Sequence, residues 1–381
     1  MSFGFTRSTT ESANYYSKQN STELPNGPSD SVSQLAWSRD GQALACASWD
    51  RTCRVWQITT QPAAFGSSGQ SVYKGNPQSL FTETAPILSC CFGDTTQMLL
   101  TAGCDKQVKA YDLISGRTTG QVIGQHDSPV NFVAWNPMYK LVISTSWDGA
   151  VKMWDGKQPN PVWQQNVGAK ICKAAFHDCF LGICDTFHDC LILNVPLLFQ
   201  QNQIAFPVTT PSAAAAASIP VFTKAGSQYQ KMQTRSIAFF PDDASQSPGA
   251  AIGSVEGRCS IVYIKEEHKD LMALSSAGTK IRGRKVHQTL PACFLSMSFL
   301  DGRLRVIFSL DAFYRLKTFE PAGAPIADLK YDPTSTALAY AVSYDWNKGP
   351  DQQEMAKGHH VYIHAMKEED LRPRPKNTQR R

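Results

Sequence analysis

One stretch of the chain, from His126 to Asp155, places polar and aromatic residues at fixed distances from one another. Counted from Asp148, Ser144 lies four residues earlier, Trp154 six residues later and His126 twenty-two residues earlier. A buried aspartate in a tight turn needs donors, and an imidazole, a hydroxyl and an indole N–H can satisfy one another inside an apolar stack of sheets. The spacing therefore predicts a hydrogen-bonded tetrad that fixes one small sheet.

This spacing is that of the WD repeat, and weaker copies of it recur along the chain. Thr101, Asp105 and Tyr111 repeat the same offsets, and a copy around Asp50 has Cys46 at the hydroxyl position. Decayed copies continue towards the C-terminus, giving seven units with cores at about 30–58, 84–113, 126–155, 166–195, 231–264, 287–320 and 323–366. At roughly forty residues per blade, one closed ring uses most of the chain. The sequence predicts an all-β fold, a seven-bladed WD-repeat β-propeller.

The propeller is predicted to span residues 19–366, between a mobile N-terminal segment (1–18) and a basic C-terminal tail (367–381). Two insertions are predicted: a low-complexity surface loop over 199–230, and an interruption of blade seven over 346–358. The seventh blade then lacks one strand. We expect about Gln19 to Pro25 to supply this outer strand and close the ring, because closure removes an exposed sheet edge.

Composition favours a soluble, intracellular protein. No apolar run approaches the roughly twenty residues that cross a bilayer, and the N-terminus lacks the apolar core of a secretory signal. The eleven cysteines mostly fall within strand patterns, which indicates reduced, buried side chains. The densest group has no Cys-x-x-Cys pair, so we expect no metal and no cofactor; its members are Cys172, Cys179, Cys184 and Cys190 with His177 and His188.

The net charge of +5 comes from the C-terminal tail. The last ten residues contain five bases and no acid, which leaves 37 − 5 = 32 bases against 32 acids in the rest of the chain. Any nucleic-acid affinity would therefore come from the tail or from a local basic patch. The candidate RNA-binding residues are Lys280, Arg282, Arg284, Lys285, Arg372, Arg374 and Lys376. The favoured alternative is a solvated loop and a solvated tail.

Catalytic motifs are absent from the sequence. It contains no G-x-x-x-x-G-K-[ST], no H-E-x-x-H and no G-x-S-x-G. The pairs Tyr111-Asp112 and Trp154-Asp155 are not followed by an arginine two residues later, which weakens, without excluding, a ubiquitin-ligase substrate receptor. We therefore expect a protein that is not an enzyme and that acts through its surfaces.

Several segments go beyond a generic propeller. IGQHDSPVNFVAW, GCDKQVKAYDL, SWDGAVKMWD, IGSVEGRCSIVYI, ALAYAVSYDWNKG and EEDLRPRPKN together resemble the nuclear-pore mRNA export factor of the RAE/GLE type. The resemblance runs from about residue 31 to 377. The motif GSVEGR, ending at Arg258, is shared in kind with a sister family, the spindle-checkpoint propeller, whereas SYDWNKG resembles the export factor specifically.

The resemblance implies a docking protein that binds a short acidic GLEBS motif, carried in export factors by an FG-repeat nucleoporin. It implies that Arg258 receives a glutamate of the motif, which a planar guanidinium can clamp with two hydrogen bonds. The alternative for Arg258 is an ion pair within the ring, for instance with Glu256. Trp49 and Trp147 would offer apolar surface to the motif, or else pack within their blades. The remaining predicted partner-binding residues are Glu256, Tyr344, Trp346 and Lys348.

The sequence also departs from the family. A basic element before blade six appears as Lys285-Val286-His287-Gln288, with glutamine where an arginine is expected, which implies weaker acidic recognition or a diverged ligand. The resemblance still implies a scaffold of the mRNA export machinery, monomeric within a heteromeric complex, at the nuclear envelope with some cytoplasmic pool. The alternatives are a mitotic checkpoint adaptor and a direct RNA-binding propeller.

Overall fold

A computed structural model of the chain describes residues 21–61, 72–177, 179–186, 190–201, 222–225, 234–239, 249–254, 259–263, 272–273, 285–290, 294–298, 303–309, 315–321, 324–344 and 358–366. In these ranges the strands form seven four-stranded antiparallel sheets, numbered below along the chain. In six of the seven sheets, all strands that follow one another in sequence are hydrogen-bonded neighbours, whereas the seventh takes its outer strand from the start of the chain.

The first three sheets are complete hairpin series. The first contains β2 (Val32–Trp37), β3 (Ala43–Ser48), β4 (Thr52–Gln61) and β5 (Val72–Thr82). The second contains β6 (Ile87–Phe92), β7 (Met98–Gly103), β8 (Gln107–Asp112) and β9 (Gln121–Gln125). The third contains β10 (Val130–Asn136), β11 (Leu141–Ser146), β12 (Ala150–Trp154) and β13 (Trp163–Asn166).

The remaining sheets follow the same plan. The fourth contains β14 (Ile171–His177), β15 (Phe180–Asp185), β16 (Cys190–Asn194) and β17 (Phe222–Ala225), with helix α1 (Val195–Gln201) after β16. The fifth contains β18 (Thr234–Phe239), β19 (Gly249–Ser254), β20 (Cys259–Tyr263) and β21 (Met272–Ala273). The sixth contains β22 (Lys285–Leu290), β23 (Phe294–Ser298), β24 (Arg303–Ser309) and β25 (Arg315–Pro321). The seventh contains β26 (Ile326–Tyr331), β27 (Ala337–Val342), β28 (His360–Ala365) and, out of sequence order, β1 (Ser21–Glu23).

The first strands of successive sheets contact one another around a closed circle, from β2 through β6, β10, β14, β18 and β22 to β26 and back to β2. Apolar side chains fill the space between neighbouring sheets, as where Leu141 and Ile143 of the third sheet pack with Leu181 and Ile183 of the fourth. Every residue of the second strands β3, β11, β15 and β27 is buried. Because these strands are covered on both faces, they are continuously apolar or small instead of alternating. The predicted β-propeller is confirmed.

The ring is closed by the N-terminal strand, as the sequence predicts. Strand β1 pairs antiparallel with β28, with Ser21 opposite His364 and Glu23 opposite Tyr362. Leu24 follows the strand and is buried in the core between the first and seventh sheets together with Trp56. The N-terminus therefore completes the sheet that the C-terminal part of the chain leaves one strand short.

The predicted loop over 199–230 is wrong at both of its ends. Phe199 belongs to α1, is buried, and packs edge-on against Tyr139 with ring centroids 4.6 Å apart. Phe222–Ala225 forms β17, which pairs with β16 as the outer strand of the fourth sheet. Val195, Leu198 and Phe199 of α1 pack in the core. A four-residue strand beside a low-complexity segment gives too little alternation to be recognised from the sequence.

Several predicted segments lie outside the described residues: the N-terminal segment 1–18, nearly all of the blade-seven insertion 346–358, and the tail 367–381. In the described part of the chain, no helix is long and apolar enough to cross a membrane. The described cysteines are free thiols, and no three His, Cys, Asp or Glu side chains in the described ranges are arranged to hold a metal ion.

Candidate protein-docking face

The turns that carry the WD-repeat residues lie on one face of the ring. In an antiparallel four-stranded sheet, the turn between the second and third strands lies at the same end as the connection that enters the first strand. Backbone hydrogen bonds join the two, from Trp49 N to the Ser31 carbonyl (2.9 Å) and from Trp147 N to the Pro129 carbonyl (3.0 Å). We call this side of the ring, with its turns at residues 49–51, 104–106 and 147–149, the turn face.

The third sheet brings all four predicted tetrad residues together beneath this face. The Trp154 indole Nε1 donates to Ser144 Oγ at 2.8 Å, and Ser144 Oγ lies 2.8 Å from His126 Nε2. His126 Nδ1 is 3.6 Å from the Asp148 carboxylate, which is longer than a hydrogen bond. The Asp148 carboxylate instead accepts from the backbone N–H groups of Ala150 (2.8 Å) and Asp127 (3.0 Å).

Burial keeps this histidine neutral. Desolvation lowers the pKa of His126 to about 4, against the opposing attraction of Asp148. Desolvation also acts on Asp148, but backbone hydrogen bonds and nearby His126 outweigh it and leave the pKa of this carboxyl below its usual value. The tetrad is thus a neutral imidazole, a hydroxyl and an indole beside a carboxylate that the turn itself holds.

The second sheet fixes the equivalent turn with charged groups. Glu83 lies twenty-two residues before Asp105, the offset that His126 has from Asp148. Lys109 Nζ donates to Asp105 Oδ2 at 2.7 Å and also to Glu83, and the Tyr111 hydroxyl donates to Glu83. Burial would lower the pKa of Lys109, but the hydrogen bonds that its ammonium donates to the two carboxylates raise the pKa above its usual value. One ammonium therefore joins two carboxylates under the turn face.

The first sheet uses a third arrangement. Arg54 Nη1 lies 2.8 Å from Asp50 Oδ2, and the same carboxylate accepts from Ser29 N at 2.9 Å. The Trp56 indole donates to the Pro25 carbonyl at 2.8 Å, because Cys46 provides no hydroxyl. Arg54 stands four residues after the turn aspartate, as Lys109 does in the second sheet. Neither this basic position nor Glu83 is predicted above, although both lie at repeat offsets from the turn aspartate.

The two predicted surface tryptophans differ in their surroundings. Trp49 is 38% exposed on the turn face. Trp147 is partly buried, and the Lys170 ammonium lies 4.1 Å from the centroid of its ring. Trp49 therefore offers an open aromatic surface, whereas one face of Trp147 is already covered.

An open cavity of about 560 Å³ lies where the seventh sheet meets the first. Its walls are residues 23–28, which lead from β1 to β2, and residues 358–360 at the start of β28. Glu23 Oε1 and His360 Nδ1 are 2.6 Å apart in this wall. Burial lowers the pKa of neighbouring His359, whose Nδ1 has no hydrogen-bond partner in the structure. The turn face therefore contains a recess beside the turn of Trp49.

Comparison with known proteins identifies the repeats as WD repeats and finds relatives that match nearly the whole chain. The family described as "WD domain, G-beta repeat" matches residues 19–57, 75–112 and 117–155. The WD40 repeat protein poxJ of Penicillium oxalicum is 30% identical over 365 residues, 92% of this chain and 95% of the relative. Protein Rae1 of Drosophila melanogaster is 28% identical over 395 residues (98% and 99%), and the mRNA export factor of Danio rerio is 30% identical over 395 residues (98% and 95%). The chain belongs to the Rae1/GLE2 family of WD40-repeat proteins.

Few of the other residues predicted to bind a partner or RNA lie within the described ranges. Tyr344 does, and its side chain is only 4% exposed. Lys285 is the first residue of β22. The others lie outside the described residues: Glu256, Arg258, Lys280, Arg282, Arg284, Trp346, Lys348, Arg372, Arg374 and Lys376.

Proposed function

We propose that this protein is a non-enzymatic scaffold of mRNA export, which binds a GLEBS-type acidic segment of an FG nucleoporin at the nuclear pore. The observation that carries the proposal is the end-to-end similarity to relatives named for mRNA export. Besides the Danio rerio protein, the mRNA export factor GLE2 of Chaetomium thermophilum is 27% identical over 393 residues, which is 98% of both chains. A similarity that spans the whole ring favours a shared docking surface over a shared repeat alone.

The charges of the turn face suit an acidic partner. The carboxylates of Asp50 and Glu83 are almost fully buried, with side-chain exposures of 6% and 8%, and both are paired with cations. Arg51, Lys106 and Lys170 are exposed on the same face. An approaching segment would therefore meet these three cations at the surface, while the carboxylates of Asp50 and Glu83 lie beneath it. Such an arrangement favours encounter with a negatively charged peptide.

We further propose that Arg258 is the principal anchor. Arg258 immediately precedes β20, and β19 ends at Ser254, which pairs with Thr234 as Ser48 pairs with Val32 in the first sheet. A connection between the second and third strands of a sheet belongs to the turn face in this topology. A guanidinium in that connection could clamp a carboxylate of the nucleoporin segment with two parallel hydrogen bonds.

The test is the affinity of the full chain for a synthetic GLEBS peptide, measured by calorimetry. Arg258→Ala should weaken binding by roughly 2–5 kcal/mol if the pair is desolvated, and Arg258→Lys should weaken it less. Arg39→Ala is the matched control, because Arg39 is exposed in the turn between the first and second strands, on the opposite face. Wild-type affinity in Arg258→Ala would reject this anchor.

Location in the cell separates the proposal from its alternative. A tagged protein should outline the nuclear rim in interphase, with some cytoplasmic signal, and its depletion should retain polyadenylated RNA in the nucleus. Concentration at kinetochores with normal RNA distribution would instead favour a mitotic checkpoint adaptor.

A further inference from the structure

The turns of the first and third sheets have the same backbone construction around their tryptophans. Ser48 Oγ and Ser146 Oγ each accept from the N–H of the following aspartate, at 3.2 and 3.3 Å. Each aspartate then accepts from the N–H two residues later, at 2.9 Å in the first sheet and 2.8 Å in the third. The residue between adopts a positive φ in both turns, 69° at Arg51 and 81° at Gly149. Trp49 and Trp147 therefore occupy equivalent positions in their turns.

In the third sheet, the tryptophan ring is already in contact with a cation. Lys170 lies immediately before the first strand of the next sheet, and its ammonium sits 4.1 Å from the Trp147 ring centroid. The corresponding residue beside Trp49 is Pro86, because the Pro86 and Lys170 carbonyls accept the equivalent hydrogen bonds from Cys104 N and Thr186 N. Proline cannot cover an aromatic face with charge. No cation of the described residues lies over the ring of Trp49.

We propose that Trp49 is a receptor for a basic side chain, lysine or arginine, supplied by a partner protein. The tryptophan ring face attracts cations through its quadrupole, and tryptophan does so best among the aromatic residues. The Lys170 ammonium over the Trp147 ring shows that the equivalent position of the third sheet accepts such a group. The contact would fix the position of a bound segment along the face. It goes beyond the nucleoporin proposal and does not depend on it.

Arg51 is the nearby charge that could compete. It is exposed and lies two residues after Trp49 in the same turn. Its positive φ is the conformation of Gly149 in the third sheet, where no side chain is present. A partner's cation can bind only if the Arg51 side chain does not already cover the Trp49 ring. The experiment must test this directly.

The test uses the full chain, with tetramethylammonium as the probe and tert-butanol as a neutral control of similar size. The indole N–H signals of the eight tryptophans are followed by NMR at constant ionic strength. Tetramethylammonium should shift the Trp49 signal along a saturable curve and leave Trp147 unmoved, and tert-butanol should do neither. Signals are assigned with Trp49→Phe and Trp147→Phe.

Two substitutions, one beside each tryptophan, provide matched variants. Lys170→Ala should open the third-sheet position, so that the Trp147 signal begins to respond to tetramethylammonium. Pro86→Lys should place an ammonium beside Trp49 and remove the response of its signal. Unchanged positions of the other indole signals report that each variant is folded.

The proposal is overturned if the Trp49 signal does not respond in the wild type, or if it responds equally to tert-butanol. A response that appears only in Arg51→Ala would also overturn it, because the ring would then already be occupied. These results leave the Arg258 test unaffected, so the two proposals can fail separately.

Discussion

The third sheet holds its turn with a neutral imidazole, a hydroxyl and an indole, whereas the second sheet holds the same turn with an ammonium between two carboxylates. Both arrangements occupy the same repeat positions beneath the turn face. His126 of the third sheet corresponds to Glu83 of the second, and Trp154 corresponds to Tyr111. One backbone design therefore accepts two different polar networks, provided that the partners change together.

This difference teaches where each sheet is vulnerable. A neutral network loses one or two hydrogen bonds when a member is removed, and the groups left behind are uncharged. An ionic network leaves a buried charge without its partner, which is far more unfavourable. The second sheet should therefore be sensitive to the loss of its cation, and the third to a pH at which its histidine takes up a proton.

The largest expected effect is the loss of the shared ammonium in the second sheet. Lys109→Met would leave Glu83 and Asp105 facing each other with side-chain exposures of only 8% and 15%. We expect it to reduce the free energy of unfolding by about 3–5 kcal/mol, measured by urea denaturation. Lys106→Met, in the exposed turn of the same sheet, is the matched control and should change stability little.

A double variant sharpens this prediction. Glu83→Gln removes one of the two carboxylates, so Lys109→Met should destabilise the Glu83→Gln protein by less than it destabilises the wild type. Additive effects of the two substitutions would show that the ion network contributes nothing beyond the packing of its parts.

The second-largest expected effect is a loss of stability at acidic pH, which arises in the third sheet. The pKa of His126 falls from its ordinary 6.5 to about 4 in the folded protein, so protonation favours the unfolded chain. The contribution of this residue is therefore complete above pH 6.5, falls as the pH drops towards 4, and stays constant below that. A shift of this size corresponds to about 3 kcal/mol.

Urea denaturation at a series of pH values between 7 and 4 measures this loss. His126→Asn lowers stability at pH 7 but removes the titrating group, so its profile should be flatter than that of the wild type over the same range. Parallel profiles would assign the acid sensitivity to other groups.

The sequence predicted much of this fold because the WD-repeat chemistry is local. A single set of offsets around Asp148 located the third sheet, and the missing outer strand of the last blade placed the N-terminal strand. Glu83 was not predicted because histidine is the residue expected at this offset, although the turn requires only a polar partner that its neighbours can satisfy. Lys170 could not be assigned to the ring of Trp147, since that contact joins two sheets and depends on how the ring closes. Similarly, the burial of Tyr344 follows from packing that no local pattern reports.

The smallest effects test the hydroxyl position in the two sheets. Ser144→Ala removes the acceptor of the Trp154 indole and the partner of His126 together, so we expect a loss of about 1–3 kcal/mol. Thr101 occupies this position in the second sheet, where the hydroxyl of Tyr111 is directed to Glu83. Thr101→Val should therefore change the urea midpoint by less than Ser144→Ala does. Equal losses would mean that the hydroxyl acts through packing in both sheets and that their networks differ less than their chemistry indicates.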